Sequence, residues 1–362
     1  MPSLPLLLLL PLLLFFFPFT YSRPVADPLQ HAKHQMAVQP HLGNDTWGSF
    51  HRFLDLGRGS HANGLSGLKR YFARFGYLPE PYPTRLSDSF DARLEAAVVR
   101  YQAHLGLPIT GKLDGTTLAQ IITPRCGVRD SVADRSNQTG PIERFTFFTG
   151  RPRWAGPKPL TLTYAVSPAH TIDYISRANI AAALRRSFAR WARVIPVRFV
   201  ESAEYEAADV KVGFYSGDHG DGVPFDGVLG ILAHAFSPGS GKLHLDAAER
   251  WAVDLGKEES PVAVDLESVA THEIGHVLGL GHSAVKEAVM YPSLSSRMKK
   301  VELQADDVEG AQALYGSNPD FRFSQLVESE TSSAHPRALR GGRGIPRGGW
   351  IRTAIVVSML MA

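Results

Sequence analysis

The chain has 362 residues, enough for more than one domain, and its 44% hydrophobic and 20% charged side chains are those of ordinary globular domains. A formal net charge of +3 is too mild to imply a nucleic-acid partner. A single cysteine, Cys126, excludes an internal disulfide and leaves one thiol to be explained.

Leu6 to Phe17 runs almost without a polar atom, a length that suits the apolar core of a signal peptide (residues 1–22) better than a membrane span. Export makes the sequons at Asn44-Asp45-Thr46 and Asn137-Gln138-Thr139 usable for glycosylation. Residues 23–47, rich in Pro, His and Gln, have no periodicity. From 49 to 122 the pattern is helical: Leu65, Leu68, Tyr71, Phe72 and Phe75 share one face, Leu94, Val98, Tyr101 and Leu105 another, which predicts a small helical bundle. Pro124-Arg125-Cys126-Gly127-Val128-Arg129-Asp130 follows, and then a Ser-, Asn-, Gln- and Gly-containing stretch to Gly140 that reads as an exposed, cleavable linker.

Beyond this boundary Leu160–Val166 alternates as a strand, and Ile180, Leu184, Phe188, Trp191 and Ile195 form the stripe of a long helix. Val197–Val200, Val210–Phe214, Gly230–Phe236 and Leu243–Leu245 read as further strands. A helix from N-cap Asp265 to Leu278 and a last one over about Val301–Tyr315 complete an α+β pattern. Only 46 residues follow Gly316. Their apolar end, Trp350 to Ala362, follows a Gly-, Arg- and Pro-rich spacer with Ser332-Ser333-Ala334 upstream, the order of parts in a glycosylphosphatidylinositol signal; a free, disordered C-terminus is the alternative.

The chemistry lies in His272-Glu273-Ile274-Gly275-His276-Val277-Leu278-Gly279-Leu280-Gly281-His282. At about 3.6 residues per turn His272 and His276 share a helix face and can reach one metal. A third ligand at His282 would lie about 15 Å further along a straight helix, so the helix must end first, and Gly279 allows the left-handed turn that brings the chain back. Three ligands leave one zinc position open for a water, with Glu273 placed to take its proton.

His272 to His282, followed by Val289-Met290-Tyr291-Pro292, resembles the zinc helix and Met-turn of the metzincins, and with the helical pro-segment and Pro-Arg-Cys-Gly the chain resembles a matrix metalloproteinase over residues 49–316, of the short plant type without a propeller. The resemblance implies a zinc endopeptidase: a propeptide (23–143) with a bundle (49–122) and cysteine switch (124–130), a catalytic domain (144–316) built on a twisted five-stranded, mostly parallel sheet with three helices, and a tail (317–362). It implies that Cys126 holds the fourth zinc position in a latent form and that Arg125 pairs with Asp130. It further implies a structural zinc on His219, Asp221, His234 and His244, and calcium on Asp226, Asp246, Glu249 and the carbonyls of Gly227, Leu229 and Ile231. Met290 would underlie the zinc, Tyr291-Pro292-Ser293 would start the wall of the pocket for the residue after the scissile bond, Asp306 would receive the N-terminal ammonium of a matured chain, and Asp307 would anchor the Met-turn. Expected partners are protein or peptide substrates and an activating protease, with the chain monomeric and extracellular, and membrane association arising only through a lipid anchor. The bundle also resembles a peptidoglycan-binding domain, so a wall-polymer binding module is the competing function.

Overall fold

A computed structural model of the protein describes residues 47–78, 86–130, 145–157 and 159–324. The signal segment, the sequons at Asn44 and Asn137, the linker over 131–144 and the apolar terminus lie outside the described residues. The chain divides into two units, Met1–Phe321 and Arg322–Ala362, and every element below belongs to the first.

A 3₁₀ helix (Trp47–Phe53) precedes α1 (Leu65–Arg74), α2 (Ala92–His104) and α3 (Gly115–Ile121). Asp91 and Asp114 start α2 and α3 by accepting the backbone N–H groups of Leu94 and Thr117, both at 2.9 Å. The apolar faces meet in a core of rings: Tyr71 lies edge-on to Trp47 at 5.0 Å and to Phe75 at 4.7 Å. Phe225, Ile231 and Tyr291 from the second half of the chain join that core, so bundle and sheet share apolar contact.

The sheet elements are β1 (Arg125–Cys126), β2 (Leu160–Val166), β3 (Val197–Glu201), β4 (Val210–Tyr215), β5 (Ile231–Ala235) and β6 (Lys242–Asp246), with α4 (Arg177–Val194) between β2 and β3. Their order is β1-β5-β6-β4-β2-β3, and β7 (Trp251–Ala252) with β8 (Val264–Asp265) forms a separate pair. The five expected strands are present, parallel except where β5 meets β6. A sixth, β1, is supplied by the segment that follows α3, because an edge strand leaves backbone groups that an extended chain can pair. Gly230 O accepts from Arg125 N at 3.0 Å and Ala233 O from Gly127 N at 2.7 Å.

Helix α5 (Leu266–Val277) is buried along its whole length. Its N-cap Asp265 accepts from Ser268 N at 2.9 Å. Helix α4 covers one side of it: the fully buried Trp191 donates Nε1–H to Thr271 O at 2.8 Å, and Ser187 Oγ donates to Glu267 O at 3.1 Å. The last helix, α6, spans Ala305–Tyr315 and not the four residues before it. Val301 and Leu303 are buried without helical structure, and the reciprocal cap of Gln304 and Asp307 fixes the start. Among the described residues no helix is long and apolar enough to cross a membrane.

Candidate active site

Helix α5 ends where the third imidazole requires it to. Gly279 has φ 106°, Gly279 N donates to His276 O at 2.9 Å and Leu280 N to Gly275 O at 3.0 Å, which is the paired hydrogen-bond pattern of a Schellman C-cap. The turn returns the chain so that His282 Nε2 lies 3.2 Å from His276 Nε2, which is 3.1 Å from His272 Nε2. Cys126 Sγ stands 3.4 Å from the same His276 nitrogen. Four ligands of one tetrahedral zinc would stand about 3.3–3.6 Å apart, so the spacing fits that ion.

The protonation pattern fits as well. Each Nδ1 has an acceptor, namely Val289 O for His272 at 2.7 Å, Leu280 O for His276 at 2.8 Å and Asp130 Oδ1 for His282 at 2.6 Å. With hydrogens on Nδ1, three Nε2 lone pairs face one point, an arrangement that repels itself unless a cation sits there. Burial holds all three imidazoles below their ordinary pKa and so keeps them neutral and able to ligate. Burial likewise raises Glu273 to about 8, and neither of its oxygens accepts a hydrogen bond in the structure. That orphaned carboxylate faces the Cys126 thiol, which burial and Glu273 together push up.

Asp130 ties the segment around Cys126 to the histidine cluster. Arg125 Nη2 donates to its Oδ1 at 2.7 Å and Tyr77 OH to its Oδ2 at 2.6 Å, all three residues being buried, with the Arg125 guanidinium 3.7 Å above the Phe75 ring. Burial alone would raise the Asp130 carboxyl, but Arg125 and His282 hold it well below the usual carboxylate range.

A second cluster lies on the loop before β5 and on β5 and β6. One oxygen of Asp221, Oδ2, lies 2.8 Å from His219 Nε2, 2.7 Å from His234 Nε2 and 2.8 Å from His244 Nδ1. A single carboxylate oxygen meeting three ring nitrogens is the donor set of a closed zinc site. Burial pulls His234 and His244 down to about 4 against the attraction of Asp221.

Comparison with known proteins gives these sites a context. The family model described as Matrixin matches residues 153–316, and a peptidoglycan binding domain model matches 62–121. The chain is 50% identical to Metalloendoproteinase 1-MMP of Arabidopsis thaliana over 323 residues, covering 89% of this chain and 88% of that relative. It is 55% identical to Metalloendoproteinase 4-MMP of the same plant, covering 74% and 76%, and 34% identical to mouse Stromelysin-1, covering 75% and 54%. The chain belongs to the matrixin family. It is therefore a zinc metalloendopeptidase, and its bundle is the matrixin pro-domain.

In this matrixin the remaining singled-out residues are placed as follows. Met290 lies against Gly275 of α5, where any Cβ would collide with its Sδ. Asp307 accepts from Val289 N, Met290 N and Gln304 N at 2.9, 2.9 and 2.8 Å, so the turn beneath the histidines hangs on one carboxylate. Asp306 accepts from Ser283 Oγ at 2.5 Å. Burial raises the Asp226, Asp246 and Glu249 carboxyls, Asp246 to about 6; the Asp226 charge adds to the rise at Asp246, and the Asp246 and Asp226 charges add to that at Glu249. Their oxygens take backbone hydrogens from Ile231 at 2.7 Å, Gly227 at 3.2 Å and Leu229 at 2.7 Å, while Glu249 Oε2 has no hydrogen-bond partner. Gly227 and Leu229 both have left-handed φ, 91° and 61°. Only the two histidine clusters bring their ligand atoms within 4.8 Å of one another among the described residues; the acidic trio does not.

Sequence reasoning paired Asp130 with Arg125 alone and missed its bond to His282. It also missed Gln120, which donates to Ser293 Oγ at 2.7 Å and accepts from Tyr291 OH at 2.9 Å. Neither contact leaves a local signal, since the partners stand more than 150 residues apart.

Proposed function

We propose that this matrixin is an extracellular endopeptidase made as a latent precursor, in which Cys126 closes the site until the pro-segment is displaced. The observation that carries the reading is the convergence of three Nε2 atoms and one Sγ beside Glu273, whose carboxyl oxygens have no hydrogen-bond partner. His272, His276 and His282 would hold a zinc ion, which would supply Lewis acidity toward a peptide carbonyl and toward the attacking water. Glu273, kept proton-hungry by burial, accepts the proton of that water and returns it to the leaving amine. A substrate lies extended along β5, the strand whose edge the pro-segment now covers.

His219, Asp221, His234 and His244 hold a structural zinc, and Asp226, Asp246 and Glu249 with the carbonyls of Gly227, Leu229 and Ile231 hold calcium. The burial of three carboxyls, with Asp226 and Asp246 opposing the charge of Glu249, supports the calcium assignment. Cleavage in the linker by another protease releases the pro-segment, and the new N-terminus meets Asp306. Substrates are proteins outside the cell or at its surface. Secretion through the signal peptide, glycosylation at Asn44 and Asn137, a monomeric state and attachment through a lipid at the C-terminus complete the proposal. The competing module reading needs exposed aromatic rings on the bundle, whereas Trp47, Phe50, Tyr71 and Phe75 are buried.

The test is cleavage of a quenched fluorescent peptide by the full-length protein before and after chemical blocking of Cys126. Activity is expected only after blocking. Glu273→Ala should lose at least about a hundredfold in turnover while retaining zinc, and His276→Ala should lose both. Cleavage by unblocked protein at the blocked rate would overturn the latch, and undiminished activity of Glu273→Ala would overturn the base.

A further inference from the structure

The turn that ends α5 returns His282 to the other two imidazoles, and one short extended segment runs beside that turn. Phe147 forms an antiparallel bridge with Leu280, Phe148 N donates to Gly279 O at 3.3 Å, and Gly281 N donates to Thr146 O at 2.7 Å. The Thr146 hydroxyl closes this ladder by donating to His282 O at 2.7 Å. We propose that Thr146 is a positioning residue, whose hydroxyl fixes the backbone of His282 and so sets how firmly the histidine cluster retains zinc. This rests on the reading of His272, His276 and His282 as the zinc ligands.

His282 is fully buried, and among the described residues its carbonyl accepts no other hydrogen bond. A buried carbonyl without a donor is penalised, so the turn is held where the hydroxyl can reach it. Gly281 permits the approach, since a Cβ there would stand 2.4 Å from Thr146 Oγ1 and displace the hydroxyl. The imidazole is held separately, its Nδ1 lying 2.6 Å from Asp130 Oδ1. Under the proposed function Asp130 departs with the segment around Cys126, whereas Thr146 lies beyond the linker that is cut and stays. The Thr146 contact then remains to orient His282, and groups that orient a ligand from behind govern retention of the metal. A contact that served the fold alone would matter equally before and after activation, whereas a positioning contact matters most once the Asp130 bond is gone.

The experiment follows zinc transfer from the full-length chain to a colorimetric chelator, with Cys126 free and with it blocked by a reagent too bulky for the buried position of its sulfur. The phase of release that His276→Ala lacks reports the histidine cluster. Thr146→Val keeps the shape and removes the donor, while Thr146→Ser keeps the donor. After blocking, that phase should run about tenfold faster in Thr146→Val than in the parent, with kcat for a quenched peptide lowered and KM within about twofold, and Thr146→Ser should stay within about threefold of the parent. With Cys126 free, the variants and the parent should agree within about twofold. Equal rates in blocked parent and blocked Thr146→Val overturn the role of Thr146 and leave the ligand reading standing. Thr146→Ser as fast as Thr146→Val would assign the effect to methyl packing, and equal acceleration with the thiol free would assign it to the fold, each overturning the proposal. If His276→Ala releases as much zinc as the parent, the ligand reading falls and this proposal with it.

Discussion

Lys300 keeps a charge where its surroundings oppose one. Burial lowers its ammonium from 10.5 to about 8, with Asp307 and Glu287 working the other way and the neighbouring Lys286 adding to the fall. The unfolded lysine holds its proton up to about pH 10.4, so between about pH 8 and 10.4 the unfolded chain binds more protons than the folded one and stability rises with pH. Below pH 8 the folded protein carries a penalty of roughly 3 kcal/mol, as an upper figure for a group that is partly solvated. Lys300→Met removes it. Denaturant unfolding of the latent protein at pH 7 should show the variant more stable, by up to that amount, and the advantage should shrink toward pH 10. An equal difference at both pH values would show that the ammonium is not strained. Nothing in the sequence marks this residue, because a lysine in a polar loop reads as solvated, whereas His272, His276 and His282 announce themselves by spacing.

At the scale of elements, helix α5 was legible because its cap, its end and its function coincide: Asp265 starts it, Gly279 stops it, and both signals are local. Gly275 obeys a different rule. It sits inside the helix with ordinary helical geometry, where alanine would gain about 1 kcal/mol of propensity. A Cβ there, however, would collide with Met290 Sδ and approach Trp191 to 3.0 Å. Packing should win, and Gly275→Ala is expected to destabilise the latent protein by about 1–3 kcal/mol in urea unfolding. Adding Met290→Ala to that variant should return part of the loss, since the two changes share one contact; strict additivity would locate the strain elsewhere. The start of α6 was misread for a related reason. Val301 and Leu303 continue the apolar pattern that helices show, but they satisfy it as buried non-helical chain, and periodicity alone does not distinguish the two.

Across the whole molecule, the pro-segment is part of the sheet and of the site together. Residues 125–127 pair with β5 on one side, while Cys126 N donates to Pro292 O at 2.8 Å and Leu294 N donates to Pro124 O at 3.0 Å on the other, so this segment bridges both walls of the cleft. The placing of Cys126 against the histidines was legible through family resemblance, but the contact is wider than a thiol. Asp130 satisfies Arg125, Tyr77 and His282, and through His282 it orients one of the three clustered imidazoles. Asp130→Asn keeps the shape but leaves the Arg125 guanidinium buried without a counter-charge, a change that typically costs about 3–5 kcal/mol. The folded catalytic half does not lose its own core with that change, so the loss should fall mainly on docking of the switch. The Cys126 thiol, buried in the parent protein, should then react with an aromatic disulfide reagent at least about a hundredfold faster, and peptide cleavage should appear without chemical blocking. If the thiol of Asp130→Asn remained as slow to react as that of the parent, latency would rest on the sulfur and the paired strands alone, and the buried ion pair would serve only the folding of the pro-segment.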